Sequence, residues 1–173
     1  MHQVLHREVQ YIKQKFVVIL VFFAALLPFS IIVVGMVMQI GYGTEFGNIP
    51  MSDNALITTA IFSLFFALLI ILLFKFSNLC IEVRTDGFYY KYFPFHLSVK
   101  KIDKSEVQSV RIKKFRPIGD FGGWGIRYGF GKRGKGYIVS GALGVQFILN
   151  NGIKILFSTE EPEKMQLAID KIF

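Results

Sequence analysis

Cys80 is the only cysteine in this 173-residue chain, which excludes an intramolecular disulfide and any multi-cysteine metal site. Histidine is nearly as scarce: His2, His6 and His96 are scattered, and a lone histidine is more often structural or exposed than a ligand. Charged residues make up 18% of the chain, against about 25% in an ordinary soluble domain. No metal and no cofactor is expected from such a set. Asp103 and Glu106, three apart, read as a turn pair rather than an acid–base couple, so no enzyme and no catalytic residue is expected. What the chain has instead is apolar surface. Apolar types reach 53%, the mean hydropathy is +0.47, and 19 Phe, 7 Tyr and 1 Trp exclude disorder.

The apolar excess lies before residue 77, in two blocks that carry no charge. Phe16–Ile40 would run roughly 37 Å as a helix, longer than the ~30 Å hydrocarbon core of a bilayer, with Pro28 offering a bend. Ala55–Phe74 matches that core at about 30 Å and ends at Lys75. No other segment is large enough to cover two such helices, so membrane spans are expected over 16–40 and 55–76. Residues 1–15 carry Arg7, Lys13 and Lys15 against Glu8, whereas the loop 41–54 has Glu45 and Asp53 and neither Lys nor Arg. Positive flanks stay cytoplasmic, so 1–15 and 77–173 are expected inside and 41–54 outside. Neither uncharged block, 16–40 or 55–74, holds an ionisable residue, which favours an anchor over a channel or carrier. Ser63 and Ala67 form a weak small-xxx-small pair for a neighbouring helix.

From Leu79 the pattern changes to alternation. Leu79, Ile81 and Val83 point one way and Cys80, Glu82 and Arg84 the other, followed by Asp86-Gly87 and FYYKYF. A turn at 86–87 predicts Glu82 opposite Lys91, Val83 opposite Tyr90 and Ile81 opposite Tyr92. Leu97 and Val99 suggest a third strand and Val107–Phe115 a fourth, with Val110 and Ile112 inward and Lys114 marking a bulge or strand end. Tyr137–Val139 is a short strand-like piece. In LGVQFIL-NNG-IKILFS, only a three-residue loop makes the pairs 149–153, 147–155 and 145–157 all apolar, which predicts Gly152 at the left-handed position. Pro162 opens a helix with an acidic first turn and Met165, Ala168, Ile169 and Ile172 on one face. Six or seven antiparallel strands capped by this helix describe a rolled sheet.

The stretch Pro117-Ile-Gly-Asp-Phe-Gly-Gly-Trp-Gly-Ile-Arg127, then Tyr137, Ser140-Gly141, Gly144-Val145 and Ser158-Thr159-Glu-Glu-Pro162, resembles a family of small bacterial membrane proteins. These carry a pleckstrin-homology-like domain behind two transmembrane helices and have no assigned activity. The resemblance covers the helix pair and nearly all of 77–173. It implies a membrane-anchored α+β protein: a two-helix transmembrane hairpin followed by a pleckstrin-homology-like antiparallel β-roll with a C-terminal helical cap. It also implies a bacterial inner-membrane location with both termini cytoplasmic.

Eight glycines fall between Gly119 and Gly136. Gly129-Phe-Gly131-Lys-Arg-Gly134 matches a dinucleotide fingerprint, and Gly129–Lys135 comes one residue short of a phosphate loop. Both motifs need a following helix, and Tyr-Ile-Val-Ser reads as a strand, so a long flexible hairpin is expected instead. Residues 77–173 hold 16 Lys and Arg against 9 Asp and Glu, and within 100–135 the balance is 11 against 3. Lys113, Lys114, Arg116, Arg127, Lys132, Arg133 and Lys135 flank the glycines. They read either as a contact for anionic lipid head groups or an acidic partner, or as the general positive-inside bias. Trp124 either plugs the end of the roll or inserts at the membrane interface. Without a helix-turn-helix or RNA-binding motif, no nucleic acid is expected. The function expected is a non-catalytic, membrane-anchored binding or adaptor protein touching anionic lipids. The alternative is an accessory subunit or scaffold docked on another membrane protein complex.

Overall fold

The computed structural model describes residues 3–173, so His2 lies outside the described residues. Contacts divide the chain into two compact units, Gln14–Lys75 and a second unit formed by Phe76–Phe173 together with the residues up to Lys13.

The first unit is a pair of helices. Helix α1 (Lys15–Met36) contains Pro28 and continues as a π-helical turn over Val37–Gly41. Helix α2 spans Asp53–Phe76. Each is long and apolar enough to cross a membrane. Most of their large apolar side chains are exposed; the buried positions are Val17, Ala25 and Gly35 on α1 and Leu56, Ala60 and Ala67 on α2. Ser63, four before Ala67, is half-buried, and its hydroxyl donates to the Ala60 carbonyl (3.0 Å). The connecting loop is closed by the Gln39 amide, which donates to the Met51 carbonyl and to Asp53 Oδ1, each at 2.7 Å.

The second unit is α+β. One sheet runs β1 (Val4–Tyr11), β2 (Asn78–Arg84), β3 (Gly87–Phe93), β4 (Lys100–Asp103) in that spatial order. The other contains β5 (Val107–Lys114), β6 (Gly125–Tyr128), β7 (Lys135–Ile138), β8 (Leu143–Leu149) and β9 (Lys154–Ser158), in the order β5-β8-β9-β7-β6. A five-residue helix, α3 (Pro117–Phe121), links β5 to β6, and α4 (Pro162–Ile169) closes the chain. The core joins the inward faces of the two sheets: Leu79, Ile81, Val83, Phe88 and Tyr90 from the first, and Tyr137, Val139, Val145, Phe147 and Phe157 from the second. Met165, Ala168 and Ile169 of α4, with Ile172 beyond it, complete that core on the face their spacing predicts.

The β8–β9 hairpin has the expected register, Val145 opposite Phe157 and Phe147 opposite Ile155, with Gly152 at φ +79°. Lys114 ends β5, and the irregularity in that strand lies between Val107 and Ser109 instead. Asp103 and Glu106 form a turn in which the Asp103 N–H donates to Glu106 Oε2 (3.0 Å).

Other expectations are corrected. The β2–β3 turn sits at Thr85-Asp86, so Glu82 faces Tyr89, Cys80 faces Lys91, Ile81 faces Tyr90 and Val83 faces Phe88. Gly87 belongs to the strand, where a Cβ would lie 2.6 Å from the Ile102 carbonyl of β4, and its φ of +153° suits glycine. Leu97 (89% exposed) and Val99 lie outside any strand, and Ile102 supplies the inward residue of β4. Strands number nine among the described residues rather than six or seven, and β7 runs parallel to β9. Residues 1–15 contribute more than charge, because β1 pairs with β2 along its length.

Candidate functional site

The glycine-rich segment contains the expected hairpin, β6–β7, and α3 before it covers the outer face of the second sheet. Ile138 and Leu156 point away from the main core and are buried under Phe115 and Phe121, with Trp124 packed at the side. The Phe121 ring lies where a Cβ on Gly129 or Gly136 would stand, 2.9 and 2.8 Å from its atoms. These two glycines form the floor for that ring. Trp124 is half-buried against this cluster on the outer face of the sheet. The segment matching a dinucleotide fingerprint closes the β6–β7 hairpin, with the Gly129 N–H donating to the Gly134 carbonyl (2.7 Å), and a strand follows it.

Asp120 organises part of the basic set. Its carboxylate accepts the Arg116 N–H at 2.9 Å and stands 3.7 Å from the Arg116 guanidinium and 3.3 Å from that of Arg133. The backbone hydrogen bond and then the charges of Arg133, Arg116 and Lys113 hold this carboxyl below its ordinary range. Arg133 is thus brought to the same carboxylate as Arg116, which precedes it by 17 residues. Arg127 donates through Nε to the Trp124 carbonyl (2.8 Å). Lys135 is half-buried with its ammonium 5.1 and 5.7 Å from the ring centres of Tyr137 and Tyr128. Lys113, Lys114 and Lys132 are exposed and, among the described residues, form no ion pair. Lys101, counted in the basic excess, is neutralised between Asp86 and Asp103.

The register shows which end of the domain these groups occupy. Lys113 pairs with Gly144, and Gly144 with Ser158. The Ser158 carbonyl accepts the Gln10 side-chain amide at 2.6 Å. Lys113, Lys114 and Arg116 therefore sit at the end of the second sheet that receives the last residues of β1. Lys135 pairs with Ile155, three residues further along β9.

Sequence reasoning missed the residues that hold β1. Its buried side chains are polar: His6, Glu8 and Gln10. Gln10 Oε1 accepts the hydroxyls of Ser158 (2.6 Å) and Ser140 (3.2 Å). Glu8 accepts the Thr159 hydroxyl (2.7 Å) and the Glu160 N–H (2.6 Å), and Lys13 pairs with Glu160 at 2.9 Å. Ser140 and Ser158-Thr159 belong to the motif noted in the sequence, and their hydroxyls serve to clasp the N-terminal strand.

His96 anchors the connection after β3. Its N–H donates to the Tyr92 carbonyl (2.7 Å), its Nδ1 accepts the Tyr92 N–H (3.2 Å), and its ring packs 5.6 and 5.5 Å from Tyr90 and Tyr137. Burial, then the charges of Lys100 and Lys135, lower its pKa, so the ring is neutral at pH 7. Burial pushes the Tyr92 phenol up to about 12. Cys80 is half-exposed in a concavity of about 350 Å3 on the outer face of the first sheet, beside Arg7, Glu82 and Lys91. Among the described residues, no group of three or more His, Cys, Asp or Glu stands where it would hold a metal ion.

No curated protein matches the chain. One family model does, over residues 2–172, which takes in β1, both apolar helices and the two sheets. The chain therefore belongs to DUF6141, a family of unknown function.

Proposed function

We propose that this is a membrane-anchored, non-catalytic binding protein of the bacterial inner membrane, with a cytoplasmic pleckstrin-homology-like domain that contacts anionic lipid head groups. One observation carries the reading: Lys113, Lys114 and Arg116 share the end of the domain where Gln10 is bound, five residues before α1 begins. Connectivity keeps that end near the helix termini, since β1 leads into α1 and α2 leads into β2. A lysine or arginine near an anionic leaflet contributes about 1 kcal/mol each. Arg133, shared with Asp120, and Lys135, held against two tyrosines, contribute less, as does the half-buried Trp124.

The pairing of β1 with β2 also supports the topology. Both flanks of the helix pair lie in one sheet, and a folded sheet does not straddle a bilayer, so spanning helices leave both termini on one side. The Lys and Arg of the flanks, against an acidic 41–54 loop without either, favour the cytoplasm for that side.

The test is lysine acylation of the full chain in nanodiscs of phosphatidylcholine alone or mixed with phosphatidylglycerol, read residue by residue by mass spectrometry. Lys113 and Lys114 are expected to react several-fold more slowly in the anionic discs, and high salt should remove the difference, while Lys132 changes little. Equal rates in both discs would overturn the lipid contact and favour the accessory-subunit reading.

A further inference from the structure

The first sheet carries an apolar rim at the same end. Tyr11 of β1 pairs with Asn78 of β2, and Asn78 with Phe93 of β3, so these three form the last row of the sheet. Tyr11 is 49% exposed and Phe93 40%. The chain then runs through Pro94 to Val99, where Phe95 is 67% exposed and Leu97 89%. Between them His96 is buried and fixed at both ring and backbone, as described above. A loop pinned at its middle residue presents the residues on either side outward. Phe95 and Leu97 are thus held in the open by the fold.

Chemistry and connectivity identify what meets them. Between Gly87 and Ile102 there is no carboxylate, while Lys91 and Lys100 are present and form no ion pair among the described residues; Lys101 is taken up by Asp86 and Asp103. An apolar tip with lysines behind it matches the boundary between acyl chains and anionic head groups, where aromatic residues are enriched. Tyr11 is separated from Lys15 by three residues, and Asn78 from Phe76 by one. At no more than ~3.6 Å per residue, the row stays within roughly 15 Å of chain from both helix ends. An exposed protein partner would have no such covalent reason to meet this row.

We infer that the loop 94–99 is a membrane wedge: Phe95 and Leu97 enter the interfacial layer of the bilayer, with Tyr11 and Phe93 along its rim. The inference rests on the membrane-anchored reading and adds a second, apolar contact to the basic one.

The test uses the full chain with Cys80→Ser, reconstituted in vesicles of phosphatidylcholine and phosphatidylglycerol. A bimane label is attached at Phe95→Cys, Leu97→Cys, Lys132→Cys or Leu27→Cys, one at a time, and quenched by lipids with a nitroxide near the head group or deep in the acyl chain. All four positions are exposed in the structure, so labelling should leave the fold intact. Labels at 95 and 97 are expected to be quenched several-fold more by the shallow nitroxide than the label at 132. If 27 is quenched by the deep nitroxide while 95 and 97 behave like 132, the wedge is overturned and the anchor stands. If 27 escapes quenching too, the anchored reading itself fails.

Discussion

Two segments are added to the sheets of this domain, and they are attached by opposite chemistry. The N-terminal strand β1 turns polar side chains inward, and Gln10 and Glu8 hold it to Ser140, Ser158 and Thr159 by directed hydrogen bonds. The α3 cover turns an apolar ring inward, and Phe121 lies on a floor cleared by Gly129 and Gly136. The first attachment depends on matching donors with acceptors, so it fixes register; the second depends on shape, so it fixes distance. A polar clasp fails when one partner is left unsatisfied, whereas a shape contact fails when volume is added or removed.

The most severe way to break the contrast is to remove one segment. A fragment beginning at Phe76 lacks β1 and leaves the buried Ser158 carbonyl and the Ser140 and Thr159 hydroxyls without their partners. It should fail to unfold cooperatively in thermal circular dichroism, and fusing residues 3–13 to it through a flexible linker should restore the transition. Phe121→Ala should cost about 3–5 kcal/mol, the usual range for removing a buried phenylalanine. Its effect should be local, with hydrogen exchange accelerated in β6 and β7 and unchanged in β1 and β2. Gln10→Ala should cost about 2–3 kcal/mol through the orphaned serine groups, with the reverse pattern of exchange. Gly136→Ala, whose Cβ would meet the Phe121 ring at 2.8 Å, should cost about 1–3 kcal/mol and free the cover without touching β1.

The smallest effect belongs to His96, which lies in neither attachment. Its folded pKa is lowered, so the folded protein binds that proton more weakly than the unfolded chain. The stabilisation is full above the ordinary histidine value and is lost as pH falls from about 6.5. His96→Gln should flatten that part of a denaturation-versus-pH curve. An unchanged slope would show that other groups carry the acid sensitivity.

The same contrast explains what could be read from the amino acids. The β8–β9 hairpin was legible because only one loop length made every inward pair apolar. The β2–β3 hairpin kept its faces but not its register: a shift of two residues leaves Val83 and Ile81 on the core side, so alternation does not detect it. Asp86-Gly87 suggested the turn, but close approach of β4 claims Gly87 for the strand. Strand β1 escaped because its pattern is inverted, with His6, Glu8 and Gln10 buried and Val9 and Tyr11 exposed. Leu97 and Val99 alternate as a strand would, yet His96 is the residue that turns inward. In the candidate surface, the basic residues were evident from charge alone, while their division into the Asp120 group and the tyrosine-held Lys135 depends on a cover that glycine spacing did not reveal.

Because β1 precedes both apolar helices and β2 follows them, synthesis delivers half of a strand pair long before its partner. At about 5–20 residues per second, β1 waits several seconds while the hairpin is made. On the proposed placement, failure of one helix to insert would strand β1 and β2 on opposite sides of the bilayer, and the sheet would never close. Completion of the domain would then act as a check on paired insertion, with Gln10 kept from Ser158 in any chain in which one helix alone had crossed.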